Sequence, residues 1–252
     1  MSRGAERTAT HLPLGSLTWP EVAASAAESI LVVPLGSTEQ HGPHLPLGTD
    51  SDIAVALADR LAAARPDMLV APLLPYGSAG EHAAFPGTLS IGAAALELVV
   101  VELVRSADAF AGVVLVSGHG GNAAPLAAAV ATLRGEGRRV LAWTPRVPDG
   151  DAHAGRTETS LLLALSADAV RLGTAEPGET RPLAAVMREL RRNGVAAVSA
   201  NGVLGDPSGA SAEEGERLLD QLAADLVAKV EAWGDDTQPA ADLEASVEAG
   251  SG

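Results

Sequence analysis

The run Ile30-Leu31-Val32-Val33-Pro34-Leu35-Gly36-Ser37-Thr38-Glu39-Gln40-His41-Gly42-Pro43-His44-Leu45-Pro46-Leu47-Gly48-Thr49-Asp50 decides how this chain folds. Its first six residues are uninterrupted and apolar, the pattern of a strand buried on both faces. The rest sets a Glu, two His and an Asp among glycines and prolines, and ends where Thr49 or Asp50 can cap a helix. In extended backbone Glu39 and His41 project to one side and Gln40 to the other. Asp50 follows a Gly/Pro-shaped turn that can bring it back to them. Carboxylate, imidazole and second carboxylate are the usual oxygen and nitrogen ligands of a catalytic divalent metal. A polar loop closed by a salt bridge uses the same residue types, and this segment alone leaves both readings open.

Working outward, apolar residues alternate between strand and helix patterns. A short helix begins at Trp19-Pro20-Glu21-Val22 and reaches about Ala27. Residues 51–64 carry Ile53, Leu57 and Leu61 at helical spacing, and Met68-Leu69-Val70-Ala71-Pro72 reads as a second strand. Leu73 to Thr88 is a long irregular segment of the kind that carries binding residues. A helix over 93–109 presents Leu96, Val99, Val100, Leu103 and Val104 on one face, and Gly112 to Ser117 is the clearest strand. A helix over 123–135, a strand over 139–143, a helix from near Thr157, and helices over 182–193 and 211–233 complete the pattern. This alternation predicts an α/β fold with a mainly parallel sheet covered on both faces. The expected organisation is a flexible start over 1–12, a single domain over 13–233 and a disordered acidic tail over 234–252.

Composition narrows the chemistry. A formal net charge of -15 argues against nucleic acid or an anionic membrane as partner. The absence of cysteine removes disulfides, thiol nucleophiles and thiolate-bound zinc, so any metal must sit on His and carboxylate. The start lacks an apolar signal core, and no run approaches the roughly 18 apolar residues of a membrane span, so a cytoplasmic enzyme is expected.

Five of the six histidines, His41, His44, His82, His119 and His153, lie in Gly/Pro-rich or polar junctions, which points to a shared site. Glu39, His41, His82 and His119 all fall beyond the carboxyl ends of expected strands, where open α/β sheets bind ligands. In Asp151-Ala152-His153-Ala154-Gly155-Arg156-Thr157-Glu158-Thr159-Ser160, Glu158 can favour a helix dipole or turn back into the cleft as a ligand, with His153 as acid or base. The combination suggests a two-metal hydrolase. There is no Gly-x-Ser-x-Gly elbow, dinucleotide fingerprint or phosphate-binding loop to support other chemistry.

Residues 36–50, Tyr76-Gly77-Ser78-Ala79-Gly80-Glu81-His82 with Phe85-Pro86-Gly87-Thr88, Gly118-His119-Gly120-Gly121-Asn122 and His153 to Ser160 resemble the creatininase family of metal-dependent amidohydrolases. Gly205-Asp206-Pro207 and Ala210-Ser211-Ala212-Glu213 add to the likeness, which runs in order over about 28–232. The resemblance implies a three-layer α/β/α sandwich, two divalent ions (Zn, Fe or Mn) and a homo-oligomer, often a hexamer. It makes Glu39, His41, Asp50 and His119 metal ligands, with Asp50 the bridge, and it makes His153 the general acid/base.

Creatininase itself carries a Tyr and a metal-binding Glu directly after the His of this Gly-His motif, where this chain has Gly120 and Gly121. Glu158 is then the nominee for the missing carboxylate, as ligand and as catalytic group. Two glycines also suggest a cleft opened for a peptide, lined by Gly120, Gly121, Glu81 and His82, although a hydrogen-bonded loop clasp explains Glu81 and His82 equally well. The run Asp151 to Leu163 most resembles the family's peptidases of mycofactocin maturation, which trim a short carboxyl-terminal piece from a ribosomally made precursor peptide. A small-molecule cyclic amidohydrolase and a non-catalytic, metal-stabilised binding protein are the alternatives.

Overall fold

The computed structural model describes residues 13–235. Its helices are α1 (Trp19–Ala23), α2 (Thr49–Ala64), α3 (Ala93–Arg105), α4 (Ala123–Gly135), α5 (Arg156–Ser166), α6 (Leu183–Asn193) and α7 (Ala212–Asp235). Its strands are β1 (Ile30–Leu35), β2 (Met68–Val70), β3 (Gly112–Ser117) and β4 (Val140–Trp143), and they form one parallel sheet in the order β2-β1-β3-β4. β1 and β3 are central and pair along their whole length, from Ile30 with Gly112 to Leu35 with Ser117.

Every residue of β1 and β3 is buried, because helices cover both faces. Leu31, Val33, Leu35, Val113 and Leu115 pack against Leu96, Val100 and Val104 of α3 and Leu126, Ala129 and Leu133 of α4. The alternate residues Ile30, Val32, Val114 and Val116 meet Ile53, Leu57 and Leu61 of α2, Leu161 and Leu162 of α5, and Leu219, Leu226 and Val230 of α7. The result is the expected three-layer α/β/α sandwich. Each buried Leu or Val contributes about 1.5–3 kcal/mol, so the core needs few aromatics.

Local departures have local causes. β2 stops at Val70, two residues before Pro72, which has no N–H for the ladder. The chain nevertheless keeps following β1: Ala71 N–H donates to the Val32 carbonyl (2.8 Å) and Leu74 N–H to that of Pro34 (3.0 Å). On α3, Val99 and Leu103 are 38% and 37% exposed, because the stripe packed against the sheet is formed by Leu96, Val100, Val101 and Val104. α3 ends at Arg105, and the Ser106 hydroxyl donates to the Leu103 carbonyl at its end. The segment expected to be helical to Ala27 is broken into α1 and a short 3-10 turn at Ala26–Glu28. The expected loose start over 1–12 lies outside the described residues, as does the tail apart from Gly234 and Asp235, which complete α7.

Candidate metal centre

Because β1 and β3 are adjacent and parallel, the loops that leave them, 36–48 and 118–122, emerge side by side. A side chain on Gly36 would run into the backbone and hydroxyl of Ser51, and one on Gly118 into the Asp50 carbonyl. The two strand exits therefore press directly on the first turn of α2, and this close approach sets Asp50 between them. A third segment, 151–158, leads into α5 and reaches the same place; His153 forms an antiparallel bridge with Leu204.

The side chains converge accordingly. His41 Nε2 lies 3.2 Å from Asp50 Oδ1 and 3.8 Å from Glu158 Oε2. His119 Nε2 is 3.2 Å from Glu39 Oε2, and its Nδ1 is 3.3 Å from Asp50 Oδ2. Three compact groups result among the described residues: Glu39 with Asp50 and His119, and His41 with Asp50 and Glu158, share Asp50, and a third joins Glu39, His41 and His153. Ligand atoms about 2.0–2.3 Å from a common ion stand roughly 3–3.7 Å from one another, close to these spacings.

The fit to divalent cations also rests on unsatisfied groups. Glu39 is fully buried, yet neither carboxylate oxygen has a hydrogen-bond partner, and Asp50 Oδ2 also lacks one. Orphaned anionic oxygens cost several kcal/mol unless a cation answers them. The histidines are oriented for the purpose. His41 Nδ1 lies 3.1 Å from the Glu39 carbonyl, to which it donates, so Nε2 is left facing Asp50 and Glu158. His119 Nε2 stands between the Ser78 carbonyl at 3.1 Å and Glu39 Oε2 at 3.2 Å, while Nδ1 faces Asp50. Ring N–H groups held by carbonyls are a usual support for imidazole ligands.

Charge balance without ions is kept by protons. Burial alone would lower the His41 pKa, but Asp50, Glu158 and Glu39 outweigh it and raise it to about 10. Asp50 and Glu39 raise His119 in the same way, against its burial. Burial works against Asp50 too, yet His41 and His119 hold its carboxyl well below the usual range. Burial, with Asp50 and Glu39 nearby, lifts Glu158 to about 7, although His41 and the Ala154 N–H (2.6 Å) pull it down. Burial lowers His82 and His153, and cationic His41 lowers His153 further.

Several residues sit differently from what their sequence neighbourhood suggests. Gln40 does turn away from the carboxylates, but its amide meets the rings of His82 and His153 at 2.9 and 3.1 Å. No periodicity signals that role, since the partners are far along the chain. His82 Nε2 lies 3.3 Å from Glu39 Oε1, inside the cluster rather than along an outer wall. His44 is buried outside the centre, with Nε2 2.8 Å from the Thr159 hydroxyl. Gly120 borders open space, but Gly121 does not: a side chain there would collide with His119 Nε2, the Ser78 carbonyl and Glu81 Oε1. The room left by the missing side chain at 121 is taken by Glu81, whose carboxylate stands 3.8 Å from His119 and is one-third exposed. Of the two glycines, only Gly120 leaves open space where a side chain would stand.

Comparison with known proteins gives a consistent picture. A family model described as creatininase, creatinine amidohydrolase, matches residues 15–230. The chain is 52% identical over 214 residues to a mycofactocin precursor peptide peptidase of Mycolicibacterium smegmatis, covering 82% of this chain and 86% of that one. It is 31% identical over 244 residues to a creatinine amidohydrolase of Pseudomonas putida, covering 82% and 91%. A solved structure titled as a manganese creatininase superposes with a TM-score of 0.74 at 28% identity, over 87% of this chain and 97% of that one.

Proposed function

Because the chain belongs to the creatininase family, as its family-model match and its relatives establish, we propose that it is the metal-dependent peptidase that releases a short carboxyl-terminal piece from the mycofactocin precursor peptide. The observation that carries the hydrolase reading is the pair of ligand groups sharing Asp50 beyond the carboxyl ends of β1 and β3. The peptide substrate is favoured by 52% identity to a precursor peptidase against 31% to a creatinine hydrolase.

Glu39, Asp50 and His119 would hold one ion, and His41, Asp50 and Glu158 a second. Zn, Fe or Mn bound there would polarise an amide carbonyl and make water a competent nucleophile near neutral pH. The chain's own contribution is positioning and proton movement. Asp50, held between both groups, keeps a negative charge at the centre of the cluster. His153 is buried and neutral near pH 7, with Nδ1 3.8 Å from Glu39 Oε1 and 3.9 Å from Glu158 Oε2. It can take a proton there and deliver it to the departing nitrogen. Glu81 and the open side at Gly120 face the substrate. No helix among the described residues is long and apolar enough to cross a membrane.

The test incubates the metal-loaded protein with the precursor peptide and weighs the products. A shortened peptide with its released end supports the reading. An intact peptide beside hydrolysed creatinine or another cyclic amide would move the assignment to the small-molecule branch. Failure on every amide with metal bound would make the protein a binding module.

A further inference from the structure

Gln40 is 5% exposed, and its amide has no freedom of orientation. Gly42 N–H donates to Oε1 at 2.9 Å, and the Gly202 carbonyl, which can only accept, lies 3.0 Å from Nε2. Nε2 also stands 2.9 Å from His82 Nδ1 and 3.1 Å from His153 Nε2. His153 Nε2 is itself 2.9 Å from the backbone carbonyl of Gln40. A carbonyl accepts and never donates, so His153 Nε2 carries a proton and gives it to that oxygen. The two amide hydrogens then go to the Gly202 carbonyl and to His82 Nδ1.

We propose that Gln40 is a positioning residue whose side-chain amide fixes the tautomer of His82, while its backbone carbonyl fixes that of His153. His82 is held with its proton on Nε2, which lies 3.3 Å from Glu39 Oε1, and His153 presents the lone pair of Nδ1 toward Glu39 and Glu158. The side-chain amide thus leaves His82 protonated on Nε2, and the backbone carbonyl of the same residue leaves His153 Nδ1 as a proton acceptor inside the cleft. The surrounding chain is built to admit it. Gly202 adopts φ +81°, and a Cβ at that position would collide with the Gln40 amide, so both its conformation and its missing side chain serve this contact. Asn201 braces the same turn by accepting from the Val203 N–H at 3.1 Å.

The consequence for turnover rests on the hydrolase reading, whereas the tautomers themselves are measured without substrate. Zinc-loaded protein labelled with nitrogen-15 at histidine is compared with Q40E and with Q40M, the latter neutral and of similar length. The wild type shows both rings protonated on Nε2. In Q40E the carboxylate cannot donate, so His82 takes a proton on Nδ1, while bound zinc stays at the wild-type level. The kcat falls about 10- to 100-fold with little change in KM, the usual scale for a group that orients site ligands. Turnover is read on whichever amide the wild type hydrolyses, so an error in the assigned substrate leaves this test intact. If Q40E does not fold, loss of the fixed His82 tautomer in Q40M carries the same weight. An unchanged His82 tautomer in the folded variants, or an altered one with wild-type kcat, would overturn the proposal.

Discussion

The two halves of the candidate centre are built differently. Glu39, Asp50 and His119 are all buried and stand directly at the exits of the two central strands and the start of α2. The other half needs Glu158, which comes from the first turn of α5, is one-fifth exposed, and has its carboxyl held by a single backbone donor at Ala154. Ala154 itself sits at φ +52°, an unfavourable conformation for a residue with a side chain. One half is thus part of the sheet's own framework and the other is attached to it. The first ion site is expected to be the tighter, and the second to be the one that pH and mutation disturb.

The largest effect tests what the halves share. Asp50→Ala removes a ligand from both, so bound metal analysed by mass spectrometry should fall to background and turnover by at least about 10³-fold, the weight of several kcal/mol of lost charge stabilisation. Glu158→Gln separates the halves: one ion equivalent remains of two, and turnover drops by roughly 10²-fold or more. Retention of both ions in that variant would end the asymmetry argument.

Titration sharpens the contrast further. The folded pKa of His41, about 10, lies above its ordinary 6.5, so its contribution to the stability of metal-free protein is complete below pH 6.5 and is lost as pH rises toward 10. Glu158, raised from 4.5 to about 7, acts in the same direction at lower pH. Metal must displace these protons, so affinity should rise with pH and the melting-temperature gap between loaded and metal-free protein should widen from pH 6 to pH 9. A gap that narrows would contradict the proton balance.

The smallest predicted effect compares neighbours in the tight half. Gly121→Ala pushes on His119 and Glu81 and should cost about 1–3 kcal/mol in denaturant unfolding, while Gly120→Ala, which meets open space, should stay within about 0.5 kcal/mol.

Much of this was legible in the sequence because it is local. Ile30–Leu35 and Gly112–Ser117 are apolar without interruption, and only a sheet covered on both faces hides such runs. Glu39 and His41 stand two residues apart and both reach the cluster, and Asp50 returns because a helix begins at Thr49. What escaped depends on distant partners. The work of the Gln40 amide is defined by residues at 82, 153 and 202, and no spacing around position 40 encodes them. Gly121 looked like a widened cleft from its own neighbours, but Glu81 arrives from another loop to fill the space. On α3, periodicity placed Val99 and Leu103 on the apolar face with Leu96, Val100 and Val104, but not how wide a stripe of that face the sheet would cover.

The strand order β2-β1-β3-β4 carries one more implication, for folding kinetics. β1 finds its long partner only after the chain has passed through α2, β2 and α3, so the ligands at 39, 50 and 119 meet late, after a non-local and slow closure. Metal can therefore lock a finished sheet but cannot nucleate it. Chelators should change how slowly the protein unfolds far more than how quickly it folds.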